Sequence, residues 1–173
     1  MRLRLERWAS AISPLLLVTD CDGVLRSLEF AENEARVLRL LALHYPGFTL
    51  EDGAAPTSLT RALEAYFEGE LDALAGVRTA TNGTAFQREV WGALREIPAG
   101  TTLSYGHLAA KLGRNGSSRA VGAANGANPI PIVVPCHRVI GADGSLTGFA
   151  SGLARKRWLL DHEARFASVA SGA

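Results

Sequence analysis

The residues best suited to chemistry gather in one stretch. Within Asn128–Gly141, NPIPIVVPCHRVIG, an apolar run from Ile130 to Val134 ends in Pro135-Cys136-His137-Arg138. A thiol attacks at neutral pH when a cation, a helix N-terminus or a histidine lowers its pKa. Cys136 has His137 and Arg138 as chain neighbours. Adjacent side chains of an extended segment face opposite ways, so adjacency alone makes no Cys–His pair. A turn begun by Pro135 would bring them together. The plain alternative is a buried cysteine serving as a small hydrophobe after a strand.

Other thiol chemistries fail on spacing. A phosphatase loop needs an arginine where this chain has Ala142. A redox pair needs a second cysteine nearby, yet Cys21 is remote and no C-x-x-C occurs. Zinc needs clustered ligands, whereas His44, His107, His137 and His162 are scattered, so no metal site is expected. What remains is a single nucleophile or a packing residue, which spacing alone does not separate. Cys21 lies at a predicted turn and reads as a structural thiol, and His44 and His107 as surface or packing residues. Two cysteines are too few for a disulfide framework, which points to a reducing, cytoplasmic interior with access to the nucleoid. No apolar run reaches the roughly 18 residues of a membrane span. The opening MRLRLERW mixes acid and bases and does not read as a signal peptide.

The elements that must position the thiol are partly legible. The chain of 173 residues, 47% hydrophobic and 20% charged, reads as a soluble globular protein of one ordinary domain or two small ones. The first thirty residues read as strands: LRLERW alternates, and PLLLVTD and VLRSLEF flank a turn at Cys21-Asp22-Gly23. Glu34–His44 reads as a helix stopped by Pro46-Gly47, and LTRALEAYFEGE as a second, with Leu59, Leu63, Tyr66 and Phe67 on one stripe. Gly69 to Gly83 reads as a connection. Thr84 and Gln87 form a capping box for a helix carrying Phe86, Val90, Leu94 and Ile97 and ending at Pro98. Ser104 can cap a short helix ending at Gly113, and Ser117 or Ser118 another running to Asn125. Two short helices joined by a glycine-containing turn resemble a helix-turn-helix. RVIGADGSLTGF reads as a hairpin, or wing, around Asp143-Gly144, and a last helix runs from Leu153 to about Arg165.

On the helix after Ser118, Arg119, Gly122, Ala123 and Gly126 fall at i, i+3, i+4 and i+7 and share a face. Apart from Arg119 that face has almost no side chains, while Val121 and Ala124 point towards a core. A major-groove reader carries long hydrogen-bonding side chains; a bare face suits either a minor groove about 6 Å wide or close packing against another element. Charge is asymmetric: residues 1–83 carry eight basic and twelve acidic residues, residues 84–173 ten and five. A polyanion partner is therefore expected at the C-terminal half alone.

PCHRVIG, preceded by SRAVGAANGANPIPIVV and LSYGHLAAKLG, resembles the signature of the O6-alkylguanine-DNA alkyltransferases, above all the bacterial, inducer-independent methylated-DNA–protein-cysteine methyltransferases. The likeness is dense from Thr84 to about Glu163 and looser before it. It implies an α/β, ribonuclease H-like domain over residues 1–80. It also implies a mainly helical DNA-binding and alkyl-acceptor domain over residues 84–173, with a winged helix-turn-helix. It implies stoichiometric, irreversible transfer of a methyl or other alkyl group from guanine O6, and from thymine O4, in duplex DNA to Cys136. His137 and Glu163, linked through a water, would take up the thiol proton; Tyr105 would serve guanine N3; Asn128 would tie the helix to the cysteine segment. Arg119 would fill the stack behind a flipped nucleotide, with Ser104, Ala120, Gly122 and Ala123 against DNA. Val139, Phe149, Ala150, Ser151 and Lys156 would line the base pocket. The resemblance implies no cofactor, no membrane partner, and a monomer able to cluster on DNA. The alternative is a non-catalytic lesion-binding protein on the same scaffold.

One loop departs from the family pattern Tyr-x-Gly-Gly: here it is Phe149-Ala150-Ser151-Gly152. The phenol hydroxyl is lost, and Ser151 adds bulk and backbone constraint near the pocket mouth.

Overall fold

The computed structural model describes residues 1–171. The chain divides into two compact units, the first Met1–Asn82, the second starting at Gly83. In the first unit, β1 (Arg2–Trp8), β2 (Leu15–Asp20), β3 (Leu25–Phe30) and β4 (Thr49–Asp52) form one sheet in the order β3-β2-β1-β4. β2 is buried along its whole length, as an interior strand covered on both faces must be. β1 alternates, with Leu3 and Leu5 inward and Arg2 and Arg4 outward. Helix α1 (Glu34–His44) packs Val37 and Leu41 on Leu3, Leu5, Leu16 and Val18, with Tyr45 completing that core. Helix α2 (Thr57–Phe67) buries Leu59, Leu63 and Tyr66. Its bounds lie two to three residues before those expected, and a short 3-10 turn, Leu71–Leu74, interrupts the expected connection.

Strand β4 is not anticipated by the sequence pattern. It pairs in parallel with β1 at the sheet edge, and its residues, Thr49-Leu50-Glu51-Asp52, show no apolar alternation. Short, charged strands are how sheet edges avoid pairing with other chains, so the feature that suits β4 to its place also hides it.

In the second unit the capping box is formed. Gln87 N donates to Thr84 Oγ1 (3.1 Å) and Thr84 N to Gln87 Oε1 (3.0 Å), opening α3 (Ala85–Leu94), which buries Val90, Trp91 and Leu94. Ser104 Oγ accepts from His107 N and opens α4 (Tyr105–Lys111). Gly113, at φ +69°, turns the chain out of α4, a backbone that favours glycine. Helix α5 (Ser118–Gly126) begins at Ser117 without a side-chain cap, contrary to the expectation that a serine would cap it. Val121 and Ala124 are buried, as expected. The final helix, α6 (Leu153–Ser171), is longer than expected.

The hairpin at Asp143-Gly144 is not formed as a two-stranded ladder. Gly141–Ser145 closes as a tight turn, with Gly141 N donating to Ser145 O and Gly144 N to Gly141 O. The strand leading into it, β6 (Val139–Ile140), pairs instead in parallel with β5 (Leu103–Ser104). Beyond the turn, Thr147 O accepts from the side chains of Tyr105 and Lys156, which take the place of a partner strand.

Candidate active site

The apolar run before Cys136 is buried, but it is not a strand. Ile130–Val134 coils, with Ile132 at φ +74°. A β-branched residue in the left-handed region costs on the order of 1–3 kcal/mol and persists only where its surroundings over-determine it. Here Asn128 does so from inside the coil. Its Oδ1 accepts from Ile130 N (2.9 Å) and its Nδ2 donates to Val134 O (2.8 Å). Val134 N also donates to Ile130 O. The coil delivers the chain into a 3-10 turn, Cys136–Arg138, so the thiol and the imidazole do not lie on a strand.

Cys136 is 4% exposed, His137 0% and Glu163 1%. His137 Nε2 meets both oxygens of Glu163, on α6, at 2.9 and 3.0 Å, a direct contact with no room for a water between these two groups. Arg138 grips the same carboxylate through Nε (2.7 Å) and Nη2 (2.9 Å), and its Nη1 donates to Ile97 O (2.6 Å). Burial alone would raise the Glu163 pKa, but the hydrogen bonds from His137 and Arg138, with the Arg138 charge, outweigh it and lower it to about 2. Burial pushes the His137 pKa down, against the pull of Glu163. Burial therefore favours the neutral imidazole. An ionised carboxylate only accepts, so Nε2 carries the hydrogen and Nδ1 the lone pair. Nδ1 is buried and has no hydrogen-bond partner among the described residues.

Tyr105, the first residue of α4, donates its hydroxyl to Thr147 O (3.0 Å), and burial raises its pKa. Lys156 is wholly buried; Nζ donates to Val139 O (2.6 Å) and Thr147 O (2.7 Å) and lies 5.9 Å from the Tyr105 ring centre. Burial lowers its pKa. It thus pins β6 to the loop after the turn. Tyr105 and Lys156 both lie near enough to Cys136 for a thiolate to influence their protons. Val139, Phe149 and Ser151 are buried, whereas Ala150 is exposed. On α5, Arg119, Ala120 and Ala123 are exposed and Gly122 and Gly126 half-buried, while Ser104 is engaged as the α4 cap.

Two residues have roles not assigned to them from the sequence. Asn125, given none there, is 1% exposed and donates from Nδ2 to Cys136 O (3.3 Å), so α5 holds the cysteine backbone directly. Its spacing carries the signal: Val121, Ala124 and Asn125 stand at i, i+3 and i+4 on the buried face. Arg138, legible only as a cation beside the thiol, proves to be the main ligand of Glu163. Nothing local in the sequence announces that. Among the described residues no group of three or more His, Cys, Asp or Glu could hold a metal ion, and no helix is long and apolar enough to cross a membrane.

The family profile described as 6-O-methylguanine DNA methyltransferase, DNA binding domain, matches residues 85–165. A methylated-DNA–protein-cysteine methyltransferase of Salmonella typhimurium is 52% identical over 165 residues, covering 94% of this chain and 96% of that protein. One from Methanosarcina acetivorans is 46% identical over 154 residues, covering 89% and 94%. The crystal structure of Mycobacterium tuberculosis OGT in complex with DNA superposes with a TM-score of 0.76 at 42% identity, covering 96% of this chain and 94% of that one. These likenesses run through both units, not only the stretch that holds the thiol. With more than half of its aligned residues shared with a full-length relative, this chain belongs to the methylated-DNA–protein-cysteine methyltransferases.

Proposed function

We propose that this protein repairs duplex DNA by taking the alkyl group from O6 of guanine, and from O4 of thymine, onto Cys136, once per molecule. The observation that carries the reading is the buried thiol followed by a buried imidazole that is held by Glu163 through Nε2 and whose Nδ1 has no hydrogen-bond partner among the described residues. His137 Nδ1 takes the thiol proton, and Glu163 steadies the imidazolium that forms. The sulfur attacks the alkyl carbon in line as the carbon–O6 bond breaks. The electron pair moves into the purine, which takes a proton at N3 from Tyr105. Desolvation makes Tyr105 a reluctant acid, so its proton moves only as charge develops on the leaving base. The product is a thioether. It has no electrophilic carbonyl for water to attack, so the protein is not regenerated.

A base inside a duplex cannot be approached in line, so the nucleotide must be flipped out, at a cost of about a few kcal/mol. The partly exposed, nearly bare face of α5 suits the narrow minor groove, with Arg119 left to fill the gap. This reading draws support from the DNA-bound Mycobacterium tuberculosis relative. In finer terms, we read the sheet, three antiparallel strands with β4 parallel to β1, as ribonuclease H-like. We read α4 and α5 with the turn at Gly141–Ser145 as a winged helix-turn-helix.

The test is intact mass after mixing with a duplex carrying one O6-methylguanine. A gain of one methyl per chain, with no further turnover, is the expected result. Unchanged mass with the lesion still bound would favour a lesion-binding protein instead. Arg119→Ala weakens capture of the lesion in duplex DNA about tenfold or more, the loss of roughly 1.4 kcal/mol or more. It leaves the reaction with free O6-methylguanine unchanged; equal loss with both substrates would refute the finger role. Ser151 is buried, in the loop that the resemblance places at the base pocket. Ser151→Gly, which removes that bulk, raises the rate with O6-benzylguanine relative to O6-methylguanine. An unchanged ratio in competition assays would remove Ser151 from the specificity determinants.

A further inference from the structure

Three charged or chargeable groups converge where one carboxylate must serve two partners. Glu163, nearly inaccessible, receives His137 on one side and the Arg138 fork on the other. Arg138 side-chain exposure is 9%, and its remaining terminal nitrogen is held by Ile97 O, so the guanidinium has no freedom to leave. The groups whose charge bears on His137 are Glu163 and Lys156 from α6 and Arg138 on its own turn, with the Cys136 thiol as its chain neighbour. Glu163 and Arg138 already form a neutral pair. A proton on His137 would leave two buried cations facing one carboxylate, with Lys156 adding a third positive charge nearby.

We propose that Arg138 is a positioning residue for alkyl transfer: by holding the Glu163 carboxylate as a neutral pair, it keeps His137 uncharged, with hydrogen on Nε2 and an open lone pair on Nδ1. Without Arg138, Glu163 becomes a buried, unpaired anion beside an imidazole, and the favourable response is to charge that imidazole. A histidine protonated in the resting protein cannot accept the thiol proton. Arg138 therefore does two things with one fork. It orients the carboxylate that orients the base, and it makes the resting imidazolium unfavourable, so that His137 is protonated only as the thiol gives up its hydrogen. Lysine has the charge but not the planar two-donor geometry. The two contributions can be separated by substitution.

The proposal rests on His137 acting as the base, and the experiment separates its failure from the failure of that reading. In the unsubstituted protein, nitrogen–proton correlation NMR of His137, assigned by comparison with His137→Gln, reads protonation directly and needs no DNA. The expected state is neutral and Nε2-protonated from pH 6 to 8; an imidazolium at pH 7 overturns the proposal even if methyl transfer proceeds. Arg138→Met is then followed by the same spectrum and by the rate of methyl uptake against pH. The His137 midpoint is expected to rise by about 1–3 pH units. Uptake at pH 7 falls about tenfold for a midpoint near 8 and recovers at higher pH. Arg138→Lys keeps the profile of the unsubstituted protein and melts at a lower temperature. If Arg138→Met lowers the melting temperature but leaves the pH profile in place, Arg138 is merely structural. If it does not fold, the spectra of the unsubstituted protein and of Arg138→Lys decide the matter alone. If neither the unsubstituted protein nor any variant takes up methyl, the repair reading fails while the NMR result still stands or falls by itself.

Discussion

Cys136→Ala takes up no methyl from a duplex carrying one O6-methylguanine, and it still binds that duplex. The substitution removes one sulfur atom from a site that is 4% exposed and disturbs no hydrogen bond made by the backbone of the turn. On the α5 face proposed to meet DNA, Arg119 and Ala123 are exposed, whereas the Cys136 backbone is held by Asn125 on the buried face. Loss of chemistry without loss of affinity is therefore the expected pattern. The chain supplies its own control, because Cys21 is exposed at a turn of the first unit and remains in the variant. A general thiol reagent still labels Cys21 in Cys136→Ala, whereas the lesion does not. Methyl found on the variant by intact mass and peptide mapping would place the acceptor elsewhere and end the present assignment.

Glu163→Gln is expected to lower stability by about 3–5 kcal/mol, because removing one partner of a buried pair strands the other charge. The stranded charge is Arg138, which glutamine can hydrogen-bond but not neutralise. Methyl uptake falls as well, since a glutamine offers His137 and Arg138 one acceptor oxygen to share and adds an N–H donor, so the His137 tautomer is no longer fixed. The pH dependence carries a second signature. The Glu163 pKa, depressed from 4.5 to about 2, contributes stability that is complete above the unfolded value. That contribution is lost as pH falls from 4.5 towards 2, and amounts to about 3 kcal/mol if all of the shift is realised. His137, whose pKa is also depressed, adds a loss that begins as pH falls below 6.5. Glu163→Gln flattens the first of these limbs and leaves acid unfolding less steep between pH 4.5 and 2. Chemical denaturation across that range checks it; an unchanged slope would mean that Glu163 is not held ionised by its neighbours.

The sequence declares its helices better than its site. Helix α1 begins and ends where the apolar period and Pro46-Gly47 place it, and the α3 cap is the box that Thr84 and Gln87 spell out, because both signals are local. Strand β4 is invisible, since its pairing with β1 comes from far along the chain and its own residues, Leu50 apart, are polar. The expected hairpin fails for a related reason. Asp143-Gly144 gives a good turn, but the segment beyond it is held by the Tyr105 hydroxyl and the Lys156 ammonium, two side chains remote in sequence. Cys136, His137 and Glu163 are nameable only through resemblance. Spacing alone leaves Cys136 as a packing residue. That Arg138 shares Glu163 with His137 depends on where α6 comes to lie, which no pattern around Pro135 encodes.

A protein that acts once yields at most one repaired base per molecule, so each event is best read on the protein itself. The Trp91 indole, 3% exposed, donates to Ala124 O (2.8 Å), the carbonyl immediately before Asn125, whose amide holds the Cys136 backbone. Light absorbed at Trp91 thus reports on the helix that secures the reactive turn. With Trp8 and Trp158 replaced by phenylalanine, its emission becomes a label-free optical gauge of whether that turn is still in place after the thiol has been spent.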